Sequence, residues 1–112
     1  MIKGVGVDAV PIARMRLALE RTPNLAGRVF TSHELETAST RASRDASLAA
    51  RFAAKEACRK ALRATLAWKS VEVVADGRVP TLRVAGHDDV RFHISLTHTD
   101  DVAVAVVVAE GD

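Results

Sequence analysis

A chain of 112 residues has room for one domain around a single core, and its 48% apolar content excludes both a disordered segment and a membrane protein. The formal net charge of +2 sets no strong electrostatic class, yet basic residues gather at Arg14, Arg16 and Arg21 and again, seven of them, between Arg41 and Arg63. No tyrosine, one tryptophan and three phenylalanines leave few platforms for stacking bases, so a phosphorylated small molecule or an acidic protein is the expected partner ahead of nucleic acid.

In chain order, IKGVGVDAV alternates around Val5 and Val7 and reads as a strand, with Asp8 near its C-terminal end. Pro11 suits the first turn of a helix running to about Glu20, with Ile12, Met15 and Leu19 as its apolar stripe. Thr22, Pro23, Asn24 and Gly27 mark a loop or a broken helix. Thr31 and Glu34 have the spacing of a capping box and open a short helix. TASTRASRD reads as a connection, and a long helix follows from about Asp45 or Ala46 to Leu66. Then the period changes. SVEVVA and TLRV are strands on either side of an Asp76-Gly77 turn, and FHISL is a third. Beyond a turn at Thr99-Asp-Asp, VAVAVVVAE closes the chain as a buried strand. The expected fold class is α+β: one domain, residues 1–112, with one long helix on a mostly antiparallel sheet.

The longest unbroken apolar run, Val102 to Ala109, is too short to span a bilayer. MIKGVGVDAV lacks the apolar core and cleavage site of a signal peptide, and the single cysteine, Cys58, has no internal partner. A cytoplasmic protein, away from membranes, is the expectation.

On a helical wheel of about 100° per residue, the long helix divides into sectors. Ala46, Ala50, Ala53, Ala54, Ala57, Ala61 and Ala64 form a close-packing face, and Leu48, Phe52, Cys58, Leu62 and Leu66 form a second apolar sector. Glu56, Arg59, Lys60 and Arg63 share the remaining side, where Glu56 and Lys60 are spaced for an i,i+4 ion pair. Arg51 and Lys55 project among the leucines. Their stems either snorkel to water or frame an anion site, and sequence geometry leaves both readings open.

Asp8 reads as a turn or cap residue, or as one of two metal carboxylates with Glu56. Two hard oxygens completed by water and phosphate describe how Mg2+ is held at phosphoryl-transfer sites. His93, Ser95 and Thr97 share one strand face, either as a polar contact surface for a phosphate or amide or as the wet side of an edge strand. A zinc site at His93 and His98 is weak, because the two fall on opposite faces. No Ser/His/Asp arrangement has motif support, and the glycines form no phosphate-cradling loop.

Four blocks carry the argument further: GVGVDAVPIARM, RVFTSHELE, SLAARFAAKEACRKAL and HISLTHTDDVAVAVVVAE, in this order. In these the chain resembles the holo-acyl-carrier-protein synthases, the short type of 4'-phosphopantetheinyl transferase. The resemblance implies transfer of the phosphopantetheine arm of coenzyme A to a serine of an acidic acyl or peptidyl carrier protein, with release of 3',5'-ADP. It implies Asp8 and Glu56 as Mg2+ ligands and Lys60 as a diphosphate contact, these three being the catalytic set. Coenzyme A binding would fall to Arg51, Phe52, Lys55, Lys60 and His93, with Ser95 and Thr97 adding polar contacts. Arg14, Arg16 and Arg21 on the first helix would dock the carrier, and a homotrimer would place the sites between protomers. The nucleophile would belong to the carrier.

The chain also departs from that pattern. No glycine stands between Gly27 and Gly77, the helix ahead of HISLTH is shortened to GHDDVR, and Gly77-Arg-Val-Pro80 holds one residue more than the usual turn. These changes bear on the pantetheine groove and the trimer edge. They make a catalytically weakened carrier-protein or coenzyme A-binding module the alternative, with a basic nucleic-acid-binding protein behind it.

Overall fold

A computed structural model describes residues 1–75 and 79–112, so the Asp76-Gly77 turn lies outside the described residues. The fold is α+β, as expected. The elements are β1 (Ile2–Pro11), α1 (Ile12–Arg21), α2 (Leu25–Val29), α3 (Ser32–Ser39), α4 (Arg44–Leu62), a 3-10 turn (Trp68–Ser70), β2 (Val71–Val74), β3 (Thr81–Val84), β4 (Arg91–His98) and β5 (Val102–Glu110). The strands form two antiparallel sheets, one in the order β1-β5-β4 and one a separate β2-β3 hairpin. Among the described residues no helix is long and apolar enough to cross a membrane.

Helix α4 is the spine of the molecule. Ala46, Ala49, Ala50, Ala53, Ala54, Ala57 and Ala61 are all buried, most of them on the small-residue face read from the wheel. They let the helix lie almost on the backbone of β1. A Cβ added to Gly4 would fall 1.8 Å from the Ala61 carbonyl oxygen, and one added to Gly6 would fall 1.9 Å from that of Ala57. Backbone on both sides leaves nothing flexible to yield. Gly6→Ala is therefore expected to destabilise the protein by roughly 3 kcal/mol, measured by urea unfolding. A loss below 1 kcal/mol would mean that the strand can retreat.

That close approach decides which face of the sheet is covered. Across the strands, Asp8 pairs with Ala105 and Ala105 with Leu96, and this row looks toward α4 together with buried Ala103, Val107 and Ala109. The alternate rows, Val5–Val108–His93 and Val7–Val106–Ser95, form the opposite face. There Val5 and Val7 remain 60% and 54% exposed, so in the first half of β1 Gly4 and Gly6 face inward while Val5 and Val7 face out.

Several boundaries differ from the sequence reading. Pro11 ends β1 and caps α1 rather than lying inside the helix, and Leu25–Val29 forms a short helix in the expected loop. Helix α4 begins at Arg44 because the Ser43 side chain accepts from the Ala46 amide. It stops at Leu62 rather than Leu66. Arg63 turns left-handed at φ 54°, its N–H meeting the carbonyls of Arg59 and Lys60, and the chain swings Leu66 and Trp68 back against the core. The shortened segment before β4 holds two turns and no helix.

Candidate active site

Asp8 stands on the helix-facing side of β1, three residues inside the strand rather than at its end. Lys60 reaches it from α4: its ammonium lies 3.1 Å from Asp8 Oδ1 and donates to the Val7 carbonyl at 2.9 Å. Glu56 is one turn before Lys60 on the same helix, about 6 Å along the axis, so it lies on the stretch of α4 from which Lys60 reaches Asp8. The side chains of Asp8 and Glu56 are 19% and 30% exposed, open to a ligand but partly sheltered. The expected Glu56–Lys60 pair is not formed, because Lys60 is taken up by β1. Glu56 instead faces Arg59, with 3.7 Å between Glu56 Oε1 and a guanidinium nitrogen. Each carboxylate thus has its own cation.

Among the described residues no three His, Cys, Asp or Glu side chains converge on a metal-sized site. Asp8 and Glu56 alone offer two hard oxygen donors with a solvent-facing side. That set fits an octahedral cation whose remaining positions are filled by water and ligand oxygens, and it does not fit a closed protein cage. The ammonium on Asp8 marks the spot as one that already attracts positive charge.

The other basic residues are more deeply committed than the wheel indicated. Lys55 and Glu34 are both 0% exposed and form an ion pair of 2.8 Å. The same ammonium donates to the carbonyls of Trp68 and Val71, so all three of its hydrogens are used. Burial holds the Lys55 pKa below its usual value, opposed by the charge and hydrogen bond of Glu34. Lys55 neither snorkels to water nor reaches the Asp8–Glu56 edge. Beyond the capping box, in which Oε1 accepts from the Thr31 amide, Glu34 also accepts at Oε2 from the Val73 amide.

Arg51 is buried, donating to the Ser47 hydroxyl at 2.5 Å and to the Ser47 carbonyl at 3.2 Å, while its Nε–H has no hydrogen-bond partner among the described residues. Burial, then the neighbouring Arg41, lowers its pKa. It borders a cavity of about 380 Å³ with Arg41, Ser47, Thr97 and His98. A desolvated guanidinium beside a second arginine suits an anion. This cavity is separate from the Asp8–Glu56 edge within one chain. His93, Ser95 and Thr97 lie on the open face of the sheet, away from Asp8, and His93 Nε2 is 3.0 Å from Glu110 Oε1. That bond, with the charge of Arg91, lowers the Glu110 pKa.

Phe52 packs against Trp68 with ring centroids 5.1 Å apart, and the two wall an apolar groove of about 220 Å³ with Val10, Met15 and Phe30. Arg14 stands at its rim. Arg14 and Arg21 are exposed and make no ion pair among the described residues, whereas Arg16 is bound to Asp45 at 2.8 Å.

A family model of the 4'-phosphopantetheinyl transferase superfamily matches residues 4–107, which include Asp8, Glu56 and Lys60. The chain belongs to this superfamily. A holo-[acyl-carrier-protein] synthase of Streptomyces griseus is 49% identical, covering 99% of this chain and 100% of its own. Among solved transferase structures, the Bacillus anthracis holo-(acyl-carrier-protein) synthase in complex with CoA (3',5'-ADP) superposes with a TM-score of 0.87 at 30% identity, covering 100% of this chain and 99% of that one. The Mycobacterium tuberculosis acyl carrier protein synthase gives a TM-score of 0.82 at 35% identity, covering 100% of both chains. The superfamily fold therefore survives without a glycine between Gly27 and Gly77.

Proposed function

We propose that the protein transfers the 4'-phosphopantetheine arm of coenzyme A to a serine hydroxyl of an apo acyl carrier protein, releasing 3',5'-ADP. The observation that supports this reading is Lys60 of α4 bound to Asp8 of β1, with Glu56 one turn away on α4, in a chain that matches holo-acyl-carrier-protein synthases along nearly its whole length. Asp8 and Glu56 would hold Mg2+, which supplies neutralisation of the diphosphate and of the departing phosphate oxygen. Lys60 is long enough to leave Asp8 for the diphosphate, and the remaining side chains bind and orient. The intact edge weighs against a weakened binding module.

The exposed Val5, Val7 and Val106 beside His93 and Ser95 support packing of this face against further copies of the chain, as a homotrimer. Only then would His93, Ser95, Thr97 and the Arg51 cavity come near a ligand seated on another protomer's carboxylates. A coenzyme A substrate and a lone, buried Cys58 suit a cytoplasmic setting.

The carrier is expected to be acidic and to seat on α1. Arg14→Glu and Arg21→Glu break no native pair, so each should raise KM for the carrier roughly tenfold with kcat nearly unchanged, and the effect should shrink in high salt. An unchanged KM in both variants would move the docking surface elsewhere. The reaction itself is tested by incubating protein, coenzyme A, Mg2+ and apo carrier. The carrier should gain the mass of one phosphopantetheine, and no gain across a panel of carriers would refute the proposal.

A further inference from the structure

The chain leaves α4 at Arg63 and folds back so that the sole tryptophan, Trp68, lies against the same helix. Phe52 and Arg59 are seven residues apart on α4, two turns along nearly one face, and the indole touches both. Its ring centroid is 5.1 Å from that of Phe52, and the Arg59 guanidinium carbon is 3.4 Å from the Trp68 ring centroid. Arg59 also donates to the Leu66 carbonyl, and the Trp68 carbonyl accepts from the buried Lys55 ammonium at 3.0 Å. The backbone of Trp68 is thus pinned from the interior and its side chain from the surface.

The indole so held is one wall of the apolar groove of about 220 Å³. The lining joins α1 to the strand and helix that carry the two carboxylates. Arg14 and Met15 come from α1, Val10 is two residues beyond Asp8 on the same face of β1, and Phe52 is one turn before Glu56. The volume is below the roughly 300–1,000 Å³ of small-molecule pockets and suits an apolar side chain inserted by a protein partner. Arg14 is exposed at the rim and has no ion pair among the described residues, so an acidic surface with an apolar residue beside its acids complements the whole patch.

We propose that Arg59 is a positioning residue for carrier recognition: it holds the Trp68 indole in place as a wall of this groove, and the groove receives an apolar side chain of the acyl carrier protein. The inference rests on the reading of α1 as the carrier's seat. A planar guanidinium can stack on the indole and donate to Leu66 at once, whereas an ammonium on a flexible stem keeps the charge and loses the plane. Without Arg59 the indole turns freely, and each docking event must first order it. Ordering one such side chain weakens binding by about two- to tenfold.

Trp68 is its own probe, because no other tryptophan emits. In full-length protein without coenzyme A, apo acyl carrier protein should shift the emission saturably to the blue as an apolar side chain displaces water from the indole. Arg59→Ala should open Trp68 to acrylamide quenching in the free protein and raise the half-saturating carrier concentration about fivefold. Arg59→Lys should weaken the carrier similarly, in low and high salt alike. Wild-type binding by Arg59→Lys would mean that Arg59 acts by charge, and would overturn the proposal, as would unchanged quenching or unchanged half-saturation in Arg59→Ala. In transfer assays, Trp68→Ala should raise KM for the carrier about tenfold with kcat within about twofold, and adding Arg59→Ala to it should weaken the carrier no further. A further loss in the double variant would give Arg59 a carrier contact of its own and overturn the positioning role. An emission shift caused by coenzyme A alone, and not by carrier, would assign the groove to that ligand and overturn the proposal too. Arg14→Glu separates the two levels. If it weakens the carrier response while Arg59→Ala does not, only the role of Arg59 fails. If carrier leaves Trp68 unmoved and Arg14→Glu changes nothing, the seat on α1 fails with it.

Discussion

Alanine at Asp8 or at Glu56 will lower phosphopantetheine transfer by about a thousandfold or more if the two hold the proposed Mg2+, because several kcal/mol of charge stabilisation on the diphosphate would then depend on both carboxylates, at about 1.4 kcal/mol for each tenfold in rate. Both side chains are partly exposed and neither supports the core, so the variants should unfold within a few degrees of wild type. Asp8→Asn is the sharper form of the test. It keeps shape and one oxygen while removing the charge that binds both Lys60 and a cation. Transfer rates are read by mass spectrometry of the carrier at saturating coenzyme A. Activity above a tenth of wild type in either alanine variant would remove that residue from the metal pair.

The second large effect falls on stability. Lys55→Met leaves the Glu34 carboxylate buried with no counter-charge, and breaking such a pair costs about 3–5 kcal/mol. For a domain of this size that is a large share of its whole stability. Glu34→Leu should be as damaging, since the Thr31 and Val73 amides lose their acceptor while Lys55 keeps its charge. The double replacement removes both charges and should recover part of the loss, but not all, because those two amides stay unpaired. Urea unfolding of the three variants gives the comparison directly. Single variants within 1 kcal/mol of wild type would mean that water reaches the pair.

Much of the fold is legible in the sequence because it follows from period and spacing. The alternation of SVEVVA, TLRV, FHISL and VAVAVVVAE marks strands, and the alanine spacing of α4 marks a face that packs tightly. What alternation cannot state is which side of a strand is inside. In β1, Val5 and Val7 face out and Gly4 and Gly6 face in, because only glycine admits the backbone of α4 at that distance. The end of α4 was misplaced for a related reason. Local propensity carries the helix on to Leu66, while the core contacts of Leu66 and Trp68 pull the chain out of it after Leu62.

The same limit governs the site. Asp8, Glu56 and Lys60 were accessible through the resemblance of their blocks, and the fold brings Asp8 and Lys60 into contact with Glu56 one helical turn from Lys60. Glu34 was hidden by its own success as a capping residue, since the Thr31 spacing explains it completely, and the wheel that places Lys55 among leucines does not say which carboxylate would pair with it. Arg59 looked like solvated surface on the wheel. Its role depends on Trp68 folding back over it, a contact made by a segment with no regular period. Arg16, grouped with Arg14 and Arg21 by position, differs from them only because Asp45 happens to face it.

The central claim is that Asp8 and Glu56 hold one divalent cation between them. A crystal of the protein with coenzyme A and Mn2+ in place of Mg2+ tests it most directly, because anomalous scattering locates the ion independently of the chain. The account predicts one ion peak touching oxygens of Asp8, Glu56 and the coenzyme A diphosphate, at roughly 2.1 Å from each. An ion held by the diphosphate with either carboxylate turned away would contradict it.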